Sequence, residues 1–263
     1  MRRRHLMASA AALSGLVVAI ACGDVPTLEN GIAFFTTVLL PLPAVAAGDT
    51  LRDSLGHVAP LRVRLFGRDS QEITGVPVTF VPTALPSNVT IDSNGVLVAQ
   101  DTVRSVQIVG RIGDRLQTSP VTLLIVPEPS TITRADNAAA DSLFDVPALR
   151  ALPVTVSGLF RGVVTPVNGI IVRYRIDSLQ PSSAAPGSAV LTNPTGGLLR
   201  PDSTIAVDTT KSAGTATRNV LVRAGSGVQR VFISVSAQRL RDATPLVGSP
   251  VQFVLDLKPQ PPP

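Results

Sequence analysis

The sequence predicts an all-β protein made of two tandem sandwiches. Short runs of Val, Ile, Leu and Thr recur along the chain, and Pro, Gly, Asn and Asp separate them. No stretch shows the 3.6-residue apolar period of a long amphipathic helix, so this spacing favours antiparallel strands. The pattern occurs twice, on either side of a proline-rich break. We therefore expect one domain over residues 41–127, a hinge at 128–131, a second domain over 132–258 and a polar tail at 259–263.

Residues 1–21 are typical of an export signal. Arginines at positions 2–4 are followed by about sixteen largely apolar residues and then by a small residue. The stretch "AIAC", residues 19–22, resembles the lipobox of bacterial lipoproteins. That resemblance implies cleavage before Cys22 and attachment of a diacylglyceride to its sulfur. Ala19 stands where the family usually has Leu, Val or Ile, and plain secretion or an uncleaved signal anchor are the alternatives.

Lipidation of Cys22 would place an exported protein at a membrane of the cell envelope. The residue after the cysteine is Gly23 rather than Asp, which allows an outer-membrane location as well as one facing the periplasm. Residues 22–40 then form the lipidated tether and a candidate first strand. We expect Phe34 and Phe35 of this segment to be buried, and contact with lipid or with a partner is the alternative.

The charge and composition of the mature chain argue against several partners. Removal of residues 1–21 leaves 20 Arg and Lys against 18 Asp and Glu, and the only lysines are Lys211 and Lys258. No basic stripe is interleaved with aromatic residues, so nucleic acid is not an expected partner. Aromatic residues make up 3% of the chain and Trp is absent, which favours a protein partner over a carbohydrate.

Few side chains of the mature chain could support catalysis or bind a metal. His57 would be its only histidine and lies in the loop "RDSLGHVAPL", without a nucleophile motif, so we expect an exposed turn histidine. Asp136, Asp141 and Asp145 lack the spacing of a calcium loop. We therefore predict no catalytic residue, no metal site and no cofactor. A hydrolase that uses paired carboxylates is a disfavoured alternative.

The clearest strand of the first domain lies in "APLRVRLFGRD". Leu61, Val63 and Leu65 alternate with Arg62 and Arg64, the two-residue period of a strand with one buried and one solvated face. Farther on, a Gly-x-x-Val-x-aromatic motif occupies Gly75, Val78 and Phe80, and an Ile-Asp-x-x-Gly turn occupies Ile91, Asp92 and Gly95. With these motifs, residues 45–127 resemble the bacterial immunoglobulin-like domains of surface and adhesion proteins, which implies a β-sandwich.

The second domain repeats these features. Gly169, Val172 and Tyr174 have the same Gly-x-x-Val-x-aromatic spacing, which predicts an equivalent strand. Asp208, Gly214 and Ala216 precede two terminal strands, and the unit resembles the bacterial immunoglobulin-like domains of intimin and invasin. In the second of those strands the residues expected to face the core are Val231, Ile233 and Val235. The run "PVQFVLDL" is expected to form the last strand.

Two segments of the second domain depart from a compact sandwich. Residues 134–151 predict a short helix or a long loop, and residues 177–204 predict a Pro-, Ser- and Gly-rich insertion, the first candidate for a ligand-binding loop. The sequence as a whole predicts a non-catalytic, lipid-anchored envelope protein whose domains act as a binding, adhesion or spacer module. A structural envelope component without an external ligand is the main alternative.

Overall fold

The computed structural model describes residues 31–84, 88–100, 104–113, 116–136, 147–199 and 203–258. Cys22, the export signal, Asp141, Asp145 and the tail at 259–263 lie outside these residues. The described chain consists of strands joined by turns, with one turn of 3₁₀-helix at Ser212–Gly214. It contains no helix that is both long enough and apolar enough to cross a membrane. The expected all-β class with tandem sandwiches is confirmed.

Nineteen strands are formed by the described residues, and ten of them precede residue 127. Most of these ten are short: β1 (Phe34–Phe35), β2 (Ala44–Ala46), β3 (Leu65–Phe66), β4 (Glu72–Ile73), β5 (Val78–Pro82), β6 (Val89–Ile91), β7 (Leu97–Ala99), β8 (Arg104–Ile112), β9 (Leu116–Gln117) and β10 (Val121–Val126). Those that follow are longer: β11 (Pro129–Arg134), β12 (Ala148–Phe160), β13 (Val163–Pro166), β14 (Ile171–Gln180), β15 (Ala189–Thr192), β16 (Ile205–Thr209), β17 (Thr215–Val222), β18 (Arg230–Ala237) and β19 (Val251–Asp256).

The first sandwich has one continuous sheet and one layer of short pieces. The continuous sheet has the order β2-β10-β8-β5, with β9 beside β8, and β2 runs parallel to β10. The pieces β1-β3-β4 and β6-β7 form separate small sheets. Buried side chains from both layers, including Leu51, Leu97, Ile108 and Leu123, form its main core. The expected alternation is confirmed, because Leu61 and Leu65 are buried whereas Arg62 and Arg64 are exposed.

The second sandwich has two well-formed sheets around one core. One sheet has the order β11-β12-β17-β15, with β13 extending β12, and the other has the order β16-β14-β18-β19. Val231, Ile233 and Val235 point inward and are fully buried, as expected from their alternation with polar neighbours. Residues of both sheets belong to one buried apolar cluster.

The repeated Gly-x-x-Val-x-aromatic motif marks equivalent strands, as expected. Gly75 precedes β5 with φ of +81° and Gly169 precedes β14 with φ of +77°, a backbone region that favours glycine. The aromatic residues that follow, Phe80 and Tyr174, are both buried. β5 pairs antiparallel with β8, and β14 pairs antiparallel with β18. In each sandwich the partner is a long strand that comes later in the chain.

The expected hinge is not a separate linker. Residues 129–131 belong to β11, which pairs with β12 through a register shift between Pro129 and Thr131. Proline has no N–H to donate to a ladder, and the start of a strand beside an irregularity is where a sheet accepts it. The connection between the sandwiches is therefore a strand of the second sandwich rather than a free segment.

The predicted insertion at 177–204 also contributes to the sheets. The strand β14 continues to Gln180, and all four residues of β15 are buried while that strand pairs with β17. The Pro, Ser and Gly on either side indicated a loop, but the short run "AVLT" has enough apolar surface to join the core. The insertion is therefore partly structural.

The expectation that Phe34 is buried is wrong. Its side chain is 48% exposed, whereas Phe35 is half-buried. Adjacent residues of a strand point to opposite faces, so only one of the two can reach the interior. Phe35 packs against the small cluster formed by Ile32, Leu65 and Ile112.

Candidate functional site

The two sandwiches meet at a charged site around Glu128, which lies with Pro127 in the two-residue connection between β10 and β11. Its Oε1 accepts hydrogen bonds from Arg239 Nη1 at 3.3 Å and from Arg241 Nη2 at 2.8 Å. Asp242 Oδ2 lies 3.3 Å from Arg239 Nη2. These side chains are partly exposed, and exposed pairs stabilise a protein by only ~0–1 kcal/mol each. Their main effect is to position the connection against the turn that follows β18.

That turn is ordered by its own residues. The Asp242 carboxylate accepts a hydrogen bond from the Thr244 N–H at 3.0 Å. The hydrogen bonds from Thr244, with smaller contributions from Arg239 and Arg241, lower the pKa of Asp242. Gln238 and Pro245 form a bridge that closes the turn. The guanidinium groups are therefore presented on a preformed loop.

The apolar part of the junction is tightly packed. Ala44 and Val126, which belong to the first sandwich, lie in the same buried cluster as the core of the second. A Cβ added at Gly169 would collide with the Cβ of Ala44, and one added at Gly56 would lie 2.9 Å from the carbonyl oxygen of Leu240. The core of the second sandwich thus extends to Ala44 and Val126, and glycine is needed at Gly169 for both its positive φ and its lack of a side chain.

A narrow crevice with a volume of about 30 Å³ lies beside this contact. Its charged lining includes Asp49 and Arg52, whose side chains are 3.3 Å apart, as well as Glu128 with its arginine partners. The opposite charges in the lining pair with one another, so the crevice offers neither an anion site nor a cation site. Arg173 Nη2 adds one more contact across the junction, 3.4 Å from the Ser54 carbonyl oxygen.

Two of the residues that the sequence singled out for chemistry, His57 and Asp136, lie in the described part of the chain. The His57 side chain is 76% exposed, with Nδ1 3.6 Å from Asp53 Oδ2, which confirms the exposed turn histidine. Desolvation acts to raise the pKa of the Asp53 carboxyl group. The hydrogen bonds that this group accepts from the N–H groups of Leu55 and His57 outweigh desolvation, so its pKa is lowered. Asp136 is bound by Arg134 and Arg150. Within the described part of the chain, no three His, Cys, Asp or Glu side chains cluster as metal ligands would.

Tyr174 is the one buried polar side chain of the described core that has no hydrogen-bond partner for its hydroxyl. The residue is fully buried in the second sandwich, and burial raises the pKa of its hydroxyl. Because the sequence has one tyrosine and no tryptophan, its fluorescence reports the second sandwich alone.

Sequence reasoning missed the Glu128 site. Glu128 and Arg239 are 111 residues apart, and no local pattern links them. The only signal was the concentration of arginines in "QRLRD", residues 238–242.

No family model and no curated protein matches this sequence. Among solved structures, similarity is found to domains 4 and 5 of the S-layer protein SbsC, with 11% identity over 86% of this chain and 98% of that one, at a TM-score of 0.30. The D0-D1 domain of intimin has 13% identity over 86% and 98%, at 0.26. The fibronectin(III)-like modules of Clostridium thermocellum CbhA have 12% identity over 86% and 94%, at 0.33. With scores this low, the assignment to tandem β-sandwiches rests on the sheets described above.

Proposed function

We propose that this chain is an exported lipoprotein of the bacterial cell envelope whose two immunoglobulin-like sandwiches form a non-catalytic spacer. The observation that supports a spacer is the shared core, in which Ala44 and Val126 of the first sandwich are buried among residues of the second. A spacer keeps a fixed reach only if its units do not swing. A packed apolar junction resists such motion better than a polar linker does.

The proposed anchor is the diacylated Cys22. Ile32, the first buried residue of the described chain, follows it by ten positions, and a fully extended tether of that length spans about 35 Å. The first sandwich would then lie next to the membrane and the second farther away. A cytoplasmic protein would need neither the apolar segment nor the lipobox-like "AIAC".

The anchor is tested by palmitate labelling and fractionation of the full chain, with and without the lipoprotein signal-peptidase inhibitor globomycin. We expect label in the membrane fraction for the native chain and none for Cys22→Ala. The matched variant Ala19→Leu, which restores the usual lipobox residue, should be processed faster. A cleaved, unlabelled chain in the soluble fraction would show that the protein is secreted without a lipid.

A binding module for a protein partner is the second candidate, supported by an exposed hairpin. Leu159, Val163 and Val164 at the end of β12 and the start of β13 are 62%, 64% and 67% exposed. Neighbouring apolar side chains that stay in water are typical of interaction surfaces. If the hairpin binds a partner, the envelope function should be lost in Val164→Asp, although the spacer geometry is retained. A pure spacer would tolerate that change.

A further inference from the structure

The outward face of the β1-β3-β4 sheet carries a stacked aromatic pair. Phe34 and Phe66 lie directly opposite each other on β1 and β3, with ring centroids 4.8 Å apart and planes inclined by 12°. The Arg64 guanidinium lies 5.1 Å from the centroid of the Phe66 ring. The rings therefore form one apolar surface with a cationic group beside it.

The core of the first sandwich does not explain this pair. The inward face of the same small sheet carries Leu65, Ile73 and the neighbouring Phe35, which pack against the cluster of Ile32 and Ile112. Alternation along a strand would normally place polar residues on the outer face. Instead, Phe34 remains 48% exposed and Leu39, which bridges to Arg62, remains 40% exposed.

The charges on this face suit a phospholipid headgroup. Arg62 and Arg64 are exposed and precede Phe66 at alternate positions of the chain. Glu72 holds Arg64 through a two-point contact with distances of 2.7 and 3.1 Å. One positive charge thus remains in excess among these three residues. Arginine stems can lie along apolar surface while their heads stay in the polar layer, which is the arrangement that a lipid interface favours.

The position of the face in the chain brings it to the membrane. Phe34 follows Cys22 by only twelve positions, and a chain of that length spans at most about 40 Å. Such a short tether gives an effective concentration on the order of millimolar, so a weak attraction is enough to keep the face docked. A second copy of the chain would have no such advantage.

We propose that this docking face, formed by Phe34, Leu39, Arg62, Arg64 and Phe66, binds the surface of the phospholipid leaflet that holds Cys22. The inference rests on the proposed lipid anchor. Docking would fix the tilt of the first sandwich, and through the packed junction it would fix the direction in which the second sandwich projects.

The test uses a fluorescent label close to the docking face. Gln71→Cys places a thiol in the exposed turn between β3 and β4, and the matched label Ala224→Cys lies in an exposed turn of the second sandwich. The full chain is purified from membranes, labelled with an environment-sensitive dye and reconstituted into vesicles of phosphatidylethanolamine and phosphatidylglycerol that carry a lipid-bound quencher. We expect quenching at residue 71 and none at residue 224.

Two further variants test the contribution of each group. Phe34→Ser should reduce the docked fraction at residue 71 at least about fivefold, because the exposed ring no longer leaves water. Arg62→Glu should reduce it in the anionic vesicles and have less effect in zwitterionic ones. The control Leu149→Ser removes an exposed apolar side chain of the second sandwich and should change nothing.

The outcomes separate docking from anchoring. An acylated Cys22 has no free thiol to react with the dye, so the lipoprotein takes up one dye per chain. A soluble chain that takes up two dyes would show that the proposed anchor is wrong. One dye on a membrane-bound chain, with residue 71 unquenched, overturns the docking proposal alone. Energy transfer between labels on different chains would show that two copies of the chain pair through this face, provided that Phe34→Ser abolishes the transfer. That result would overturn the docking proposal.

Discussion

The two sandwiches share a strand order around their repeated motif but differ in how much core they have. Among the described residues, the second core contains 28 buried apolar residues in one cluster, 26 of its own with Ala44 and Val126 of the first sandwich, whereas the first core has 12 in its main cluster and three in a second one. Strands of the second sandwich reach 13 residues, in β12, while four strands of the first have only two. The second sandwich should therefore be stable by itself, and the first should depend on the junction.

The largest expected effect is on the second core. Phe253→Ala removes a buried ring that also lies 4.2 Å below the Arg134 guanidinium, and such substitutions lower the free energy of unfolding by ~3–5 kcal/mol. Urea unfolding followed by the fluorescence of Tyr174 should show a much lower midpoint. The matched variant Leu97→Ala lies in the first core. It should shift the unfolding midpoint measured by tyrosine fluorescence less, and the midpoint measured by circular dichroism more. Equal shifts would mean that the two sandwiches unfold as one unit and that the contrast between them is wrong.

The next effect concerns the junction. Gly169→Ala combines a clash with Ala44 and a positive φ, and we expect it to lower the free energy of unfolding by about 2–3 kcal/mol. Calorimetry should then show two separate transitions, with the first sandwich melting earlier. Gly162→Ala is the matched control, because its φ is +80° but nothing lies within 4 Å of the added Cβ. If both variants behave alike, only backbone strain matters and the contact with Ala44 contributes little.

A smaller effect is expected at the charged site. Glu128→Gln removes the carboxylate that Arg239 and Arg241 share, with a loss of ~0.5–1 kcal/mol that decreases as salt is added. Thermal unfolding of the native chain and of the variant at low and high ionic strength measures the loss of stability and its dependence on salt. A loss that does not depend on salt would indicate that packing of the side chain, rather than its charge, holds the connection in place.

The smallest effect is a pH dependence of the turn after β18. The pKa of Asp242 is lowered in the folded chain, so its contribution to stability is present above the ordinary carboxyl value of 3.8 and is lost as the pH falls through the folded value. Asp242→Ala should therefore lower the free energy of unfolding slightly near neutral pH, have little effect at the acidic end, and so flatten the stability profile in this range. An unchanged profile would assign the acid sensitivity to another carboxylate.

The sequence was most informative where one face of a strand is buried. Alternation placed Leu65 and Ile233 in the core correctly, and the repeated glycine motif found the equivalent strands β5 and β14. The sequence did not predict burial where burial depends on pairing with distant strands. The four residues of β15 join the core only because β17 is available for pairing.

The outward position of Phe34 and the Glu128 contacts had no local signal either. An aromatic doublet does not specify which ring faces inward, because that depends on the pairing of β1 with β3. The partners of Glu128 follow it by 111 and 113 residues. Long-range pairing of this kind is decided by the whole fold.

The parallel pairing of β2 with β10 has a mechanical consequence. Leu124 to Val126 lie alongside Ala44 to Ala46 in the same direction. A force that pulls the chain apart between residues 44 and 126 draws β2 toward its amino end and β10 toward its carboxyl end. The hydrogen bonds between the two strands are then loaded together in shear rather than opened one after another. The parallel pair therefore resists extension of the first sandwich along the chain.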